Sequence, residues 1–232
     1  MKKFAISLLI ALAAPLGAAA QNAALDGVLS RTDAVLAAEF ARAAQDMTPF
    51  TVPPPVSISD GRYTDTPAAD YLPLDKKAVY EYEYTSSEFT GVKVVRVEFL
   101  DYSDAEKSVR INMVIFNKTK PKVSNFSIAS TPAGIRASDS PLYGPRVEIP
   151  FPLAYNMTWN EGSDRSRVAA LNAKVSVPAG TYNGCLKIVT RLGGGDAGSA
   201  ERDYAPGVGL VYEQVNAEDH QETIKLTSYQ LK

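Results

Sequence analysis

Val175-Ser176-Val177-Pro178-Ala179-Gly180-Thr181-Tyr182-Asn183-Gly184-Cys185-Leu186-Lys187-Ile188-Val189 reads as strand, tight turn, strand. Lys174-Val175-Ser176-Val177 alternates polar with β-branched residues, the pattern of a pleated strand with one buried face. Pro178 has no N–H to give to a ladder and ends it. Ala179-Gly180 supplies the turn, because glycine takes positive φ without steric cost. The strand resumes over Cys185 to Leu192. Further on, Tyr204-Ala205-Pro206-Gly207-Val208-Gly209-Leu210-Val211 repeats the logic, with Pro206-Gly207 suited to the centre of a type II turn.

Working back from this hairpin, the same period of two governs the chain from residue 76. Val79-Tyr80-Glu81-Tyr82-Glu83-Tyr84 puts three tyrosines on one face and two glutamates on the other. Val95, Val97 and Phe99 share a face of the next strand, and Val109, Ile111, Met113 and Ile115 share a face of the third. Further strands are expected over Val123 to Ser130 and Ile135 to Ala137, then around Val147, Ile149 and Phe151, whose alternation marks the buried face. Met157-Thr158-Trp159 opens the next piece. Arg167 to Val177, Cys185 to Leu192, Glu201 to Ala205, Val208 to Val215 and Glu222 to Leu231 complete the set. Ten or so strands joined by short polar turns predict a mainly β protein: a strongly curved antiparallel sheet or partly open β-barrel. No internal repeat of fixed period is visible, which disfavours a propeller or solenoid.

Ahead of the sheet the chain changes character twice. Met1-Lys2-Lys3 and the apolar run Phe4 to Ala14, followed by Ala18-Ala19-Ala20, match a signal peptide cleaved near Ala20, with Gln21 as the new N-terminus. The run is shorter than the roughly 20 residues of a membrane span, so no transmembrane anchor is expected. Residues 21–47 predict one N-terminal amphipathic helix: Ser30 or Thr32 caps it, and Leu36, Phe40, Ala43 and Met47 form its apolar stripe. Residues 48–74 hold Pro49, Pro53, Pro54, Pro55, Pro67 and Pro73 and read as a semi-rigid connector. Tyr71-Leu72-Pro73-Leu74 closes it as an apolar lead-in to a β domain over 75–232.

Composition narrows the function classes. Of 232 residues, 45% are hydrophobic and 22% charged, as in ordinary globular domains. Without Lys2 and Lys3 the 24 basic residues become 22 against 26 acidic ones, a net charge of −4. No basic run exceeds two residues, so nucleic acid is an unsuitable partner. Cys185 is the single cysteine and cannot form an internal disulfide; it reads as a small buried hydrophobe.

The same inventory leaves little reactive chemistry. His220 is the only histidine and sits in the polar turn Asn216 to Gln221. With one histidine and one cysteine, neither a zinc site nor a His-dependent triad finds its residues, and no metal or cofactor is expected. Gly193-Gly194-Gly195-Asp196-Ala197-Gly198 lacks the Lys-Ser/Thr that ends a P-loop and reads as a hairpin loop. No catalytic residues are assigned.

What remains is aromatic. Tyr80, Tyr82 and Tyr84, with Trp159, Tyr182 and Tyr212, are the candidate ligand-binding residues, since tyrosine joins an apolar body to a polar tip. Two readings stand: a groove lined for an amphipathic ligand, or a core packed beneath the N-terminal helix.

The hairpin Val175 to Tyr182 with Cys185 after it, and Tyr204 to Val211, together resemble the paired signatures of secreted bacterial proteins known as TapB-like. They also resemble a broader set of periplasmic domains with a V-x-PAGTF-x-C hairpin. Asp70-Tyr71-Leu72-Pro73-Leu74 before the Val79–Tyr82 strand is similar to their Y-x-PL opening. The likeness spans about residues 70–231. This chain has Tyr182 for the usual Phe and one extra residue before Cys185. The resemblance implies an exported, curved β domain and lends no catalytic residue.

The expectation is therefore an exported, periplasmic or secreted, non-enzymatic binding or accessory protein of the cell envelope. It would hold an apolar small molecule or peptide-like ligand in the sheet concavity, or meet a protein of the envelope. The rivals are a structural subunit of a surface assembly, with residues 21–68 as docking arm, and a carboxylate-dependent envelope hydrolase.

Overall fold

The computed structural model describes residues 62–117, 120–193 and 198–232. The leader, the helix expected over 21–47, most of the connector and the middle of the glycine-rich loop lie outside the described residues.

Within the described chain, period-two alternation produces twelve strands. They are β1 (Ala78–Ser86), β2 (Lys93–Ser103), β3 (Ser108–Phe116), β4 (Lys122–Thr131), β5 (Gly134–Ala137) and β6 (Arg146–Pro150). The second half comprises β7 (Thr158–Glu161), β8 (Asp164–Val177), β9 (Gly180–Leu192), β10 (Gly198–Ala205), β11 (Gly209–Ala217) and β12 (Gln221–Leu231). All belong to one antiparallel sheet in the order β6-β5-β4-β3-β2-β1-β12-β11-β10-β9-β8-β7. Each strand pairs with its sequence neighbour except at two places. First and last strands pair with each other, Tyr82 opposite Leu226. Consecutive strands β6 and β7 do not pair and form the two edges. The sheet is a nearly closed barrel with one seam, between β6 and β7.

The turns behave as their residues require. Pro178-Ala179 joins β8 to β9, and Ala179 N–H reaches Leu226 O of β12 at 2.9 Å. At Pro206-Gly207 the Val208 N–H returns to Ala205 O at 3.1 Å, with Gly207 at φ +68°, as a type II turn demands. Gly134 opens β5 at φ +143°, where a Cβ would lie 2.4 Å from Ile149 O. Strand β9 starts at Gly180, five residues earlier than Cys185, because the hairpin ladder continues through Thr181 and Tyr182 opposite Ser176 and Val175.

Tyr80, Tyr82, Val95, Val97, Phe99, Ile111, Ile188, Ile224 and Leu226 form the apolar core. The outward stripe of the neighbouring strands is charged: Arg96 pairs with Glu98 at 2.8 Å and Arg110 with Asp101 at 2.6 Å. The apolar lead-in belongs to this core, Tyr71, Leu72 and Leu74 being buried after a single 3-10 turn, Ala68–Tyr71. Strand β6 departs from simple alternation. All five of its residues are buried, so Arg146 and Glu148 are enclosed as fully as Val147 and Ile149.

Candidate binding site

Two charged residues on β6 and two on β10 and β11 meet inside the barrel. Arg146 and Glu148 sit two positions apart, while register sets Arg202 opposite Glu213. Arg146 grips Glu213 with both terminal nitrogens, Nη1 to Oε1 and Nη2 to Oε2, the latter at 3.1 Å. Its Nε donates to Glu148 Oε1 at 2.9 Å. The other Glu148 oxygen accepts the Tyr204 hydroxyl. Arg202 Nη2 donates to Val147 O at 3.3 Å. All four charged residues are less than 5% exposed.

Such a cluster persists only because its members neutralise and hydrogen-bond one another, and an apolar filling of equal shape would be about as stable. Burial pushes the Glu148 carboxyl up, but Arg146 and Arg202 more than offset that, and it lies below the usual range. Burial disfavours the Arg146 charge, and Glu148 and Glu213 outweigh it, so the guanidinium stays protonated.

The cluster opens to the surface at the seam. A cleft of about 370 Å³ lies there, with Arg146 and Arg202 among its lining residues and Arg136, Asn160, Glu161 and Asp164 beside them. Glu161 takes the Val147 N–H on both carboxylate oxygens at 2.9 Å, and also accepts Trp159 Nε1 at 3.3 Å and Arg136 Nη2 at 3.2 Å. Asp164 holds the Tyr143 hydroxyl at 2.6 Å and the Gly193 N–H at 2.9 Å. Ser166 and Thr190, also in the lining, are hydrogen-bonded to each other at 2.8 Å. Arg202 differs from these neighbours: its buried Nε has no hydrogen-bond partner among the described residues.

The sequence-derived candidates fall in several places. Tyr80 and Tyr82 are core residues whose hydroxyls donate to Val208 O at 2.7 Å and Leu210 O at 2.9 Å. Tyr84, buried at the same face, donates to the Glu222 carboxylate. Tyr80 and Tyr82 border an interior cavity of about 40 Å³, shared with Phe99, Arg146 and Tyr204. That is room for two or three waters, well short of a drug-sized ligand. Trp159 stands on β7 at the seam, hydrogen-bonded to Glu161. Tyr182 on β9 pairs in register with Val175, and Tyr212 on β11 donates to Gln214 Oε1 at 2.9 Å. The structure therefore joins Tyr80 with Tyr82 at the interior cavity, sets Trp159 at the seam through Glu161, and leaves Tyr84, Trp159, Tyr182 and Tyr212 outside the lining of either space.

Sequence reasoning missed Arg146, Glu148, Arg202 and Glu213. Their signal was present: Ala200-x-Arg202-x-Tyr204 and Val211-x-Glu213-x-Val215 place charges where an apolar face runs. Among the described residues no group of acidic, His or Cys side chains is arranged to hold a metal ion. His220 is partly exposed on its turn, 2.7 Å from Asp219. No helix among the described residues is long and apolar enough to cross a membrane.

No protein-family model matches the sequence, and no characterised protein matches it as a relative. The TapB-like resemblance therefore rests on the motif residues 70–74, 175–185 and 204–211 alone. Among solved structures the chain is similar to a provisionally described lipoprotein from Parabacteroides distasonis, at 16% identity and TM-score 0.46, covering 69% of this chain and 98% of that one. It is also similar to a provisionally described exported protein with YmcC-like fold from Bacteroides fragilis, at 11% identity and TM-score 0.47, covering 67% of this chain and 96% of that one.

Proposed function

We propose that this chain is an exported, non-enzymatic accessory protein of the cell envelope that binds a small polar ligand in the seam cleft. The leader-like N-terminus and the TapB-like hairpins support export. The observation that carries the binding reading is the pair Arg146 and Arg202, buried yet lining a cleft open at the surface. Packed hydrophobic residues would fill a barrel at least as stably, so enclosed charge beneath an opening fits recognition better than folding. The ligand site moves from the concavity to the seam because the concavity is filled. Glu148 and Glu213, the buried carboxylates behind the cleft, are both held by Arg146, which suits binding better than hydrolysis. Native mass spectrometry of protein purified from its source tests this: a co-purifying small molecule, lost on Arg202→Gln, supports it, and repeated recovery of bare protein overturns it.

A second reading rests on a separate observation. Val94 opposite Phe116, and Val114 opposite Val123, make an outward apolar patch, with Phe116 45% and Val123 57% exposed. A structural subunit of an assembly would use such a face. Light scattering across a concentration series, with Phe116→Ser as control, separates this from the binding reading.

A further inference from the structure

Resting on the seam-cleft reading, the geometry points to a ligand class: we infer that the cleft takes a small monocarboxylate, its carboxylate seated on Arg202 with Arg136 at the rim. Four features of the site support this choice.

The first is an inventory of donors. Arg146 spends its fork on Glu213 and its Nε on Glu148. Among the described residues Arg202 makes one hydrogen bond, to the Val147 carbonyl, and none to a carboxylate. Its Nε lies buried with no partner among the described residues, in a side chain more than nine-tenths enclosed that lines the cleft. Its Nη1 makes no hydrogen bond among the described residues and, unlike Nε, is not an enclosed atom, so it offers the cleft a charged donor that a carboxylate oxygen takes.

The second is the charge of the lining. Arg136, Arg146 and Arg202 face Glu161 and Asp164, an excess of one positive charge. Both acids are engaged, Glu161 by Val147, Trp159 and Arg136, and Asp164 by Tyr143 and Gly193. Glu148 and Glu213 lie behind Arg146. With those two counted, four carboxylates meet three arginines, so a monoanion held by the open donor of Arg202 is repelled about half as strongly as a phosphate dianion.

The third is size and polarity. About 370 Å³ admits a molecule of amino-acid or dipeptide size. The fourth is the wall: Asn160, Ser166 and Thr190 set hydrogen-bonding groups beside Pro145 and Ala200, so the remainder of the ligand carries polar groups as well as a short apolar part.

The test follows the arginine Nε–H resonances of the full-length protein labelled with ¹⁵N-arginine. N-acetylglycine is titrated against its neutral counterpart N-acetylglycinamide, with sodium phosphate and sodium chloride as matched-ionic-strength controls. The expected result is a saturable shift of the Arg202 Nε–H by N-acetylglycine, at least about tenfold weaker with the amide and absent with chloride. Arg136→Gln, at the half-exposed rim, should weaken binding while the spectrum elsewhere stays folded. Arg202→Lys keeps the charge but loses the planar guanidinium and its Nη1 donor, and should weaken it further. Equal response to acid and amide overturns the carboxylate class while leaving the cleft as the binding site. Stronger response to phosphate overturns the monoanion. Absence of any response at Arg202 overturns the inference, and the co-purification experiment then decides whether the cleft reading survives.

Discussion

Glu161 on β7 accepts the backbone N–H of Val147 on β6 with both carboxylate oxygens, each at 2.9 Å. A side chain does here what a ladder does between the other neighbouring strands. The unpaired edges of a sheet are templates for unwanted pairing, and this contact joins the two edges without a strand-to-strand ladder. It leaves the seam open enough to hold a cleft.

Glu161→Ala should therefore destabilise the barrel by about 1–3 kcal/mol, since it orphans the Val147 N–H and frees Arg136 and Trp159. Urea unfolding gives the magnitude. Hydrogen exchange at Val147 gives the location, and should accelerate more than exchange in β1 or β12. Uniform acceleration would show that the contact does not act locally.

Arg146→Met should cost about 3–5 kcal/mol, because Glu148 and Glu213 would keep their burial and lose their partner. Combining it with Glu213→Leu and Glu148→Gln should restore most of that loss, as the charges leave together. Glu148 also sets an acid limb. Its folded value lies below the usual one, so its contribution is present above the ordinary carboxylate range and is lost as pH falls through the folded value. Glu148→Gln should flatten that limb in unfolding midpoints measured across acidic pH.

Much of this architecture is legible in the chain. Alternation in Val79–Tyr84 and Val109–Ile115 places strands and faces well, since one side of each is apolar. It fails where both faces are enclosed. In Arg146–Pro150 the apolar positions 147 and 149 suggested the inner side, yet Arg146 and Glu148 carry the contacts across the barrel. Trp159 and the strand expected from Arg167 looked like separate pieces, because the hairpin that joins them, Trp159 opposite Ser166, carries no run of alternating apolar residues. Which charges cluster depends on β6 lying across the interior from β10 and β11, and no local pattern encodes that distance in the chain.

Asp203 should make stability fall with rising pH. Burial is the main cause lifting its carboxyl to about 7, with Lys187 opposing it from 3.8 Å. In the unfolded chain it titrates near its ordinary 3.8. Between those values the unfolded state sheds the proton that the folded state retains. Stability from this group is therefore highest below the lower value, falls progressively up to about 7, and above that the ionised carboxylate carries a constant cost. Asp203→Asn should gain stability over the parent at about pH 8 and gain much less at about pH 4. A gain equal at both would exclude titration as the cause.

Cys185 is wholly buried, and its thiol is pushed up to about 12, by burial first and then by Asp203. The thiolate is the reactive form, so the native protein should resist a disulfide-exchange reagent at neutral pH. In urea the labelling rate should follow the unfolding curve. Prompt stoichiometric labelling of folded protein would contradict the burial.

Tyr71 fixes the segment ahead of β1 to the far half of the sheet. Its hydroxyl lies 3.2 Å from Leu171 O on β8 and 3.1 Å from Gly184 O on β9, with Thr64 Oγ1 at 3.0 Å. Beside it, Gly207 N–H donates to Asp70 O at 2.7 Å, so the anchor also reaches the β10–β11 turn. Removing the hydroxyl should cost about 1–2 kcal/mol, the price of a buried hydrogen bond whose acceptors lose their donor. Removing the ring as well, in Tyr71→Ala, leaves a cavity and should cost about 3–5 kcal/mol. Location separates the two kinds of damage. If the lead-in is a distinct latch, Tyr71→Phe should speed proteolytic cutting within residues 62–74 while exchange in the β2–β3 ladder stays slow. If cutting and ladder exchange rise together, the lead-in unfolds only with the barrel and is part of its core.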